Sequence, residues 1–243
     1  MVITSVQNTR VKQWMKYHEK KYRDKDKKFM IEGEHLIQEA HQANVISEII
    51  TVEGYHHYWN QYPCHCVSKE VMKKLCGSVS GSKIIAICNY ITFDKASGKR
   101  YILLDDVQDP GNIGTIIRTA HSFGYSSVIL SKGCADIYNE KVIRSTQGAL
   151  FHIPVVRMDL LTVIEDLKNQ DIKVYATSLT NATSLSDTIS QDEMALVFGN
   201  EGKGVSQNIL DKCDERIYIE MQAFESLNVA VAAGICMYYY MSK

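Results

Sequence analysis

No apolar run in this chain approaches the roughly 20 residues that cross a bilayer. The longest, LNVAVAAGICMYYYM at residues 227–241, is better read as a buried helix. The first residues, MVITSVQNTRVKQW, lack the apolar core of a secretion signal. Cysteine is present but without order: seven residues, an odd number, and no Cys-x-x-Cys pair. That excludes a disulfide framework and leaves reduced thiols in a cytoplasmic protein. No metal is expected. His56, His57, Cys64, His65 and Cys66 crowd the stretch 55–66, but no Cys-x-x-Cys or His-x3-His spacing joins them, so it reads as a strand edge and loop. Internal repeats and low-complexity segments are absent as well.

Net charge is nearly absent too, at -1 over 243 residues, but its distribution is uneven. Between Arg10 and Lys28 nine Lys/Arg face three Asp/Glu, a local +6 that leaves -7 for the rest. Trp14 and Tyr17 lie among these basic residues. Basic side chains neutralise phosphates and aromatic faces stack on bases. Arg10, Lys12, Lys20, Lys21, Arg23, Lys27 and Lys28 are therefore candidates to contact RNA. A solvated helical face would carry the same charge.

Residues 1–91 read as a small α/β unit. NTRVKQWMKYHEKKYRDK is one basic helix, and MIEGEHLIQEAHQANV has the apolar period of a helix opened by Gly33. ISEIITV is a strand, SKEVMKKLCG a helix ended by Gly77, and KIIAICNYI a strand. TFDKASGKR, residues 92–100, is polar and aperiodic and serves as the linker. From Tyr101 onward short apolar strands recur: YILLDDV, SSVIL, IPVV, IKVYATSL, MALVFG and RIYIEM. Helical stretches separate most of them, which implies a parallel sheet covered on both faces. Ligands of such sheets bind beyond the carboxyl ends of the strands.

Three of those ends carry polar or glycine-rich loops. In DPGNIGTIIRTA, Pro110 and Gly111 make a turn, and Arg118 stands four residues after Gly114, about one turn into the following helix. The glycines are spaced Gly-x-x-Gly, and no acid ends the next strand to hold a ribose, so an ordinary dinucleotide fingerprint does not fit. In LVFGNEGKGVS a buried strand runs into three glycines within six residues, with Asn200 and Glu201 beside them. The Walker pattern fails there; exposed backbone amides or a plain strand-to-helix turn remain. In IYIEMQAFESLNVAVAAG a helix begins near Ser226, with small residues Ala230, Ala232, Ala233 and Gly234 allowing close packing.

In this order the three loops resemble the SpoU (TrmH) family of the SPOUT superfamily, RNA ribose 2′-O-methyltransferases, over residues 101–243. The stretch FMIEGEHLIQEA extends the likeness to the small N-terminal domain of several members, which is similar to a ribosomal protein. The resemblance implies an α/β fold with a parallel sheet tied in a trefoil knot, S-adenosylmethionine held by the second and third loops, and a homodimer through the C-terminal domain. It implies a cofactor site at Thr177, Gly199, Ile219, Met221 and Leu227. It implies a catalytic set of Asn112, Arg118, Glu201, Ser226 and Asn228. The family arginine is assigned as general base; a guanidinium, hard to deprotonate, would alternatively grip a neighbouring phosphate. The third loop departs from the pattern: Glu220 stands for a proline, Ala223 lies near the expected glycine, the loop is one residue short, and Ala230 replaces a common serine.

The reaction implied is methylation of a ribose 2′-hydroxyl in structured RNA. The separate N-terminal domain favours ribosomal over transfer RNA. Two other readings stay open: an RNA-binding module of the same fold without catalysis, and a Rossmann-type nucleotide enzyme, which would need the missing ribose-binding acid. Cys134, Cys213 and Cys236 read as structural, His121 and His152 as core or surface residues, and STQGAL at 145–150 as structural with an RNA contact left open.

Overall fold

The computed structural model describes residues 2–77, 81–93, 96, 98–189, 191–222 and 226–241. In chain order its helices and strands are α1 (Thr9–Lys16), α2 (Lys20–Asp26), β1 (Lys28–Glu32), α3 (Glu34–Gln42), β2 (Ile46–Val52), β3 (Cys64–Val67), α4 (Lys69–Leu75), β4 (Ile84–Asn89) and β5 (Arg100–Leu104). There follow α5 (Pro110–Ser122), β6 (Ser127–Leu130), α6 (Glu140–Thr146), β7 (Val155–Arg157), α7 (Leu160–Lys168), β8 (Lys173–Thr177) and β9 (Thr183–Ser184). The last four are β10 (Met194–Phe198), α8 (Gln207–Leu210), β11 (Glu215–Tyr218) and α9 (Val229–Met241). The chain divides into two units: Met1–Thr92 with Tyr138–Phe151, and Phe93–Ile137 with His152–Lys243. The sequence places one break at 92–100; the fold gives the later segment around α6 to the first unit as well. Residues 94, 95 and 97 of the expected linker lie outside the described residues.

The first unit is a four-stranded mixed sheet in the order β1-β4-β2-β3, with only β2 and β3 parallel. α1 and α4 cover one face: Val11, Trp14, Tyr17, Val71, Met72 and Leu75 pack on Ile50, Val67, Ile85 and Ile87. The basic run is therefore two helices, not one. α1 ends at Lys16, capped by Tyr17, and α2 starts after Glu19. Trp14 and Tyr17 point into the core, 2% and 6% exposed, and cannot stack on a base. α3 is opened by Gly33, as its apolar period indicates, and the residues ahead of it, Lys28–Glu32, pair with β4 as a strand. In the turn after α6, Gly148 has φ +95°, and a Cβ there would collide with the Glu39 side chain.

The second unit is a seven-stranded sheet in the order β7-β6-β5-β10-β8-β11-β9, and every neighbouring pair is parallel. α7 and α8 cover one face, where Leu160, Val163, Ile164, Leu167 and Ile209 pack on Leu103, Val174, Ala176 and Val197. On the other face Tyr175 meets Tyr240 of α9, ring centroids 5.4 Å apart, and α9 packs along α5. All six strands expected after Tyr101 form, at matching positions. The two central strands, β10 and β5, are buried throughout apart from half-buried Arg100, as both-sided coverage requires.

Candidate functional site

The second unit brings the three glycine-rich and polar loops together at the carboxyl ends of β5, β10 and β11. α5 starts earlier than its apolar pattern suggests. Pro110 takes the first turn, and the Asp109 side chain caps it, accepting from the N–H groups of Gly111 (2.7 Å) and Asn112 (3.1 Å). Arg118 is consequently the ninth residue of α5, more than two turns in, and not one. It is exposed, and its guanidinium makes no hydrogen bond or ion pair among the described residues.

Asn112 faces the other two loops. Its Nδ2 donates to Glu201 Oε1 at 3.0 Å, and its Oδ1 accepts from Asn228 Nδ2 at 3.0 Å. Glu201 also accepts from the backbone N–H groups of Gln108 (3.2 Å) and Asp109 (3.0 Å). Partial burial pushes the Glu201 carboxyl up, but the hydrogen bonds from Asn112, Asp109, its own N–H and Gln108 outweigh it and hold it below its ordinary value. Three residues beyond three separate strand ends thus form one line, Glu201–Asn112–Asn228, with an ionised carboxylate at one end.

Asn228 does a second job. Its Oδ1 accepts from the N–H groups of Ala230 (2.9 Å) and Val231 (3.3 Å), so it caps α9. The sequence assigns that cap to Ser226; the helix begins at Val229, and the cap falls to Asn228. Ala230 is buried. Glu220, in the proline position of the resembling family, accepts from Ser184 Oγ at 2.8 Å and so ties β11 to β9. Ala223 lies outside the described residues.

Beside this line opens a cleft of about 680 Å³, within the range of roughly 300–1,000 Å³ usual for small-molecule sites. Thr177, Gly199, Ile219, Met221 and Leu227, the five residues named for the cofactor, all line it, as do Glu201, Ser226 and Asn228. Arg118 and Asn112 do not. The loop after β10 forms one wall and doubles back tightly. Asn200 and Gly204 exchange backbone hydrogen bonds at 3.0 and 2.9 Å, and a Cβ on Gly199 would overlap the Gly204 and Val205 backbone. That wall therefore requires glycine at 199. Sequence reasoning missed Ser178, Leu179 and Thr180 after β8 and Cys236 from α9, which also line the cleft. Burial pushes the Cys236 thiol up to about 12, so it contributes bulk rather than a nucleophile.

The basic candidates are in the first unit and behave differently from one another. Arg23 is buried; its Nη1 donates to the carbonyls of Tyr17 and His18, each at 2.8 Å, and it is engaged within the fold. Lys28 donates to Ser47 Oγ, and Arg10 lies 2.8 Å from His65. Lys12, Lys20, Lys21 and Lys27 are exposed. Lys20 pairs loosely with Asp24, and the Lys21 and Lys27 ammoniums lie over the rings of Tyr22 and Tyr90. Nearby, His65 pairs with Glu48 at 2.9 Å and His57 reaches Cys64 at 3.3 Å; among the described residues no group of three or more His, Cys, Asp or Glu is placed to hold a metal.

Comparisons with known proteins match both units. Residues 99–238 match the model of the SpoU rRNA Methylase family, and residues 8–86 match an MRM3-like substrate binding domain. The chain is 39% identical over 247 residues to a Bacillus subtilis (strain 168) protein named 23S rRNA (guanosine(2553)-2'-O)-methyltransferase RlmP, covering 98% of each. A solved RNA 2'-O ribose methyltransferase superposes with a TM-score of 0.86 at 26% identity, over 100% of this chain and 98% of its own. The AdoMet-bound rRNA methyltransferase of Sinorhizobium meliloti does so with a TM-score of 0.86 at 25% identity, over 100% of this chain and 97% of its own.

Proposed function

The chain belongs to the SpoU rRNA methylase family, and from that premise we propose that it methylates a ribose 2′-hydroxyl of 23S ribosomal RNA, with S-adenosylmethionine as the methyl donor. The observation that carries the substrate is the 39% identity to the Bacillus subtilis enzyme across 98% of both chains. The observation that carries the chemistry is the cleft beside the Glu201–Asn112–Asn228 line. The cleft fits the cofactor: it has the volume, and its wall at Gly199–Gly204 presents close-packed backbone to a ligand. Thr177, Gly199, Ile219, Met221 and Leu227 would hold it. When bound, S-adenosylmethionine supplies a methyl group on a sulfonium, already activated for transfer.

What remains for the protein is the hydroxyl, a weak nucleophile that must be oriented, its proton passing to water at the open cleft as the oxygen takes up the methyl group. Asn112, fixed at both ends by Glu201 and Asn228, orients the ribose; positioning of this kind supplies much of the rate. Ser226 and Asn228 shape the entry on the α9 side. Glu201, its carboxyl held below its ordinary value, is ionised at neutral pH and keeps the line polarised. Arg118 grips the phosphate next to the target ribose, which fits a guanidinium better than the role of base. The first unit binds the RNA. Its exposed Lys12, Lys20, Lys21 and Lys27, together with Arg10 and Lys28, supply phosphate contacts.

We read the protein as a cytoplasmic homodimer. Free thiols at all seven cysteines support the compartment. Val231, Ile235 and Tyr238, spaced along one stripe of α9 and 50%, 39% and 57% exposed, support the dimer. The strand order, in which β10 and β11 enter beside earlier strands, supports the trefoil knot expected of the family.

The test is transfer of labelled methyl from S-adenosylmethionine to unmodified 23S ribosomal RNA and, separately, to transfer RNA, followed by alkaline digestion. Label in an alkali-resistant dinucleotide from the 23S pool is the expected result, and guanosine 2553 is the first position to map. Label only in transfer RNA would overturn the substrate. Label in neither pool, or in alkali-sensitive products, would overturn the reaction.

A further inference from the structure

Asp106 follows β5 with φ +54°, in the left-handed region where a side chain costs energy and Asn and Asp are the residues best tolerated besides glycine. Such an outlier persists only when its surroundings hold it. Here Asp106 N–H donates to Ser131 Oγ at 2.9 Å, and the same hydroxyl donates to Asp106 Oδ1 at 2.5 Å. Gly133 leaves room for the carboxylate, since a Cβ there would overlap Oδ1. The loop supplying Ser131 is itself held by Arg157, whose Nη1 and Nη2 donate to the carbonyls of Ser131, Lys132, Cys134 and Ala135. The carbonyl of Asp106 accepts from Asn200 Nδ2 at 2.9 Å. Asn200 then organises the cleft wall: its Oδ1 accepts from the N–H groups of Gly202 (3.0 Å) and Lys203 (3.1 Å). Nothing in the proposed chemistry uses Asp106 or Asn200 directly.

We propose that Asp106 is a positioning residue for the cofactor wall, its left-handed backbone aiming a carbonyl at Asn200 and so casting residues 200–204 in the shape that receives S-adenosylmethionine. This rests on the reading of the cleft as the cofactor site. Asn200→Asp keeps the acceptor for Gly202 and Lys203 and loses the donor to Asp106; because Asn200 also lines the cleft, loop exchange without ligand is the readout that isolates the strap. Asp106→Val forces the backbone out of the left-handed region, whereas Asp106→Asn tolerates it and still accepts from Ser131.

The experiment measures two quantities on the full chain: Kd for S-adenosylmethionine by calorimetry, and amide hydrogen exchange of residues 200–204 without ligand. Asn200→Asp and Asp106→Val each weaken binding about tenfold and speed exchange in the loop, the loss expected of one hydrogen bond. Asp106→Asn restores both to within about twofold. The double variant Asp106→Val, Asn200→Asp is no worse than the weaker single one, since both cut one strap. Wild-type affinity and exchange in Asn200→Asp would overturn the proposal, and that variant decides the matter if Asp106→Val does not fold. If the unaltered protein fails to bind S-adenosylmethionine, the cleft reading falls, and exchange alone decides whether the strap sets the loop.

Discussion

Arg118 and Glu201 differ in how the fold treats them. Arg118 is left exposed and unpaired among the described residues, as the phosphate contact proposed for it requires. Arg118→Ala is expected to lower transfer about 100-fold or more while leaving Kd for S-adenosylmethionine within about twofold, as a single-turnover assay and calorimetry would show. A full rate in that variant would remove its role. Glu201 is held by four hydrogen bonds that favour its ionised form. Its folded value is depressed, so the stability it adds is complete above its unfolded value near 4.5 and is lost as pH falls through the lower folded value. Denaturant melts of Glu201→Gln against the unaltered protein should therefore differ at pH 7 and converge at strongly acid pH. A gap that widens on acidification would reverse that assignment.

At the scale of elements, α9 and the α1–α2 pair carry the most specific expectations. Asn228 both caps α9 and donates to Asn112, and two substitutions separate the jobs. Asn228→Asp keeps an acceptor for the helix and loses the donor; it should melt near the unaltered protein and transfer poorly. Asn228→Ala loses both and should also cost about 1 kcal/mol of stability. Equal melting of the two variants would argue that the cap contributes nothing. On α1 and α2 the apolar period places Val11, Trp14 and Tyr17 inward, which turns the lysines outward. Neutralising Lys20, Lys21, Lys27 and Lys28 together should weaken RNA binding at moderate salt. It should also flatten the salt dependence by roughly 0.7 in log–log slope for each phosphate no longer neutralised. Arg23 is excluded from that set because its loss would unpin two backbone carbonyls and report on folding.

For the molecule as a whole, the exposed stripe of Val231, Ile235 and Tyr238 is an apolar surface on a helix whose opposite side is core, with Ala233, Cys236, Met237 and Tyr240 buried. Burying such a stripe against a second copy removes apolar area from water at about 25 cal/mol per Å². Ile235→Glu should convert a dimer to monomers in sedimentation and reduce transfer with it. A variant still dimeric would place the interface elsewhere. The tyrosine run at the C-terminus only partly serves that surface: Tyr240 bonds to Thr188 Oγ1 within the core, and the Tyr239 hydroxyl donates to the Ser186 carbonyl.

Much of this was legible from residues alone because periodicity is local. Alternating and continuous apolar runs mark the strands of the parallel sheet, since each strand must bury its own faces, and the three loops identify the family by their order. Asn112, Glu201 and Asn228 could be named one by one. Their joining could not, because it links positions 89 and 116 residues apart and depends on the strand order β5-β10-β8-β11. Helix starts moved for a local reason. The caps at Asp109 and Asn228 are decided by which N–H groups a side chain reaches, not by apolar spacing. Trp14, Tyr17 and Arg23 show the converse: composition placed them with RNA, and packing took them inside. Sequence by itself determined the elements, the family and the residue types at the strand ends. Only the tertiary structure decided which of those residues meet, because hydrogen bonds between distant loops form when the parallel sheet sets its strands side by side.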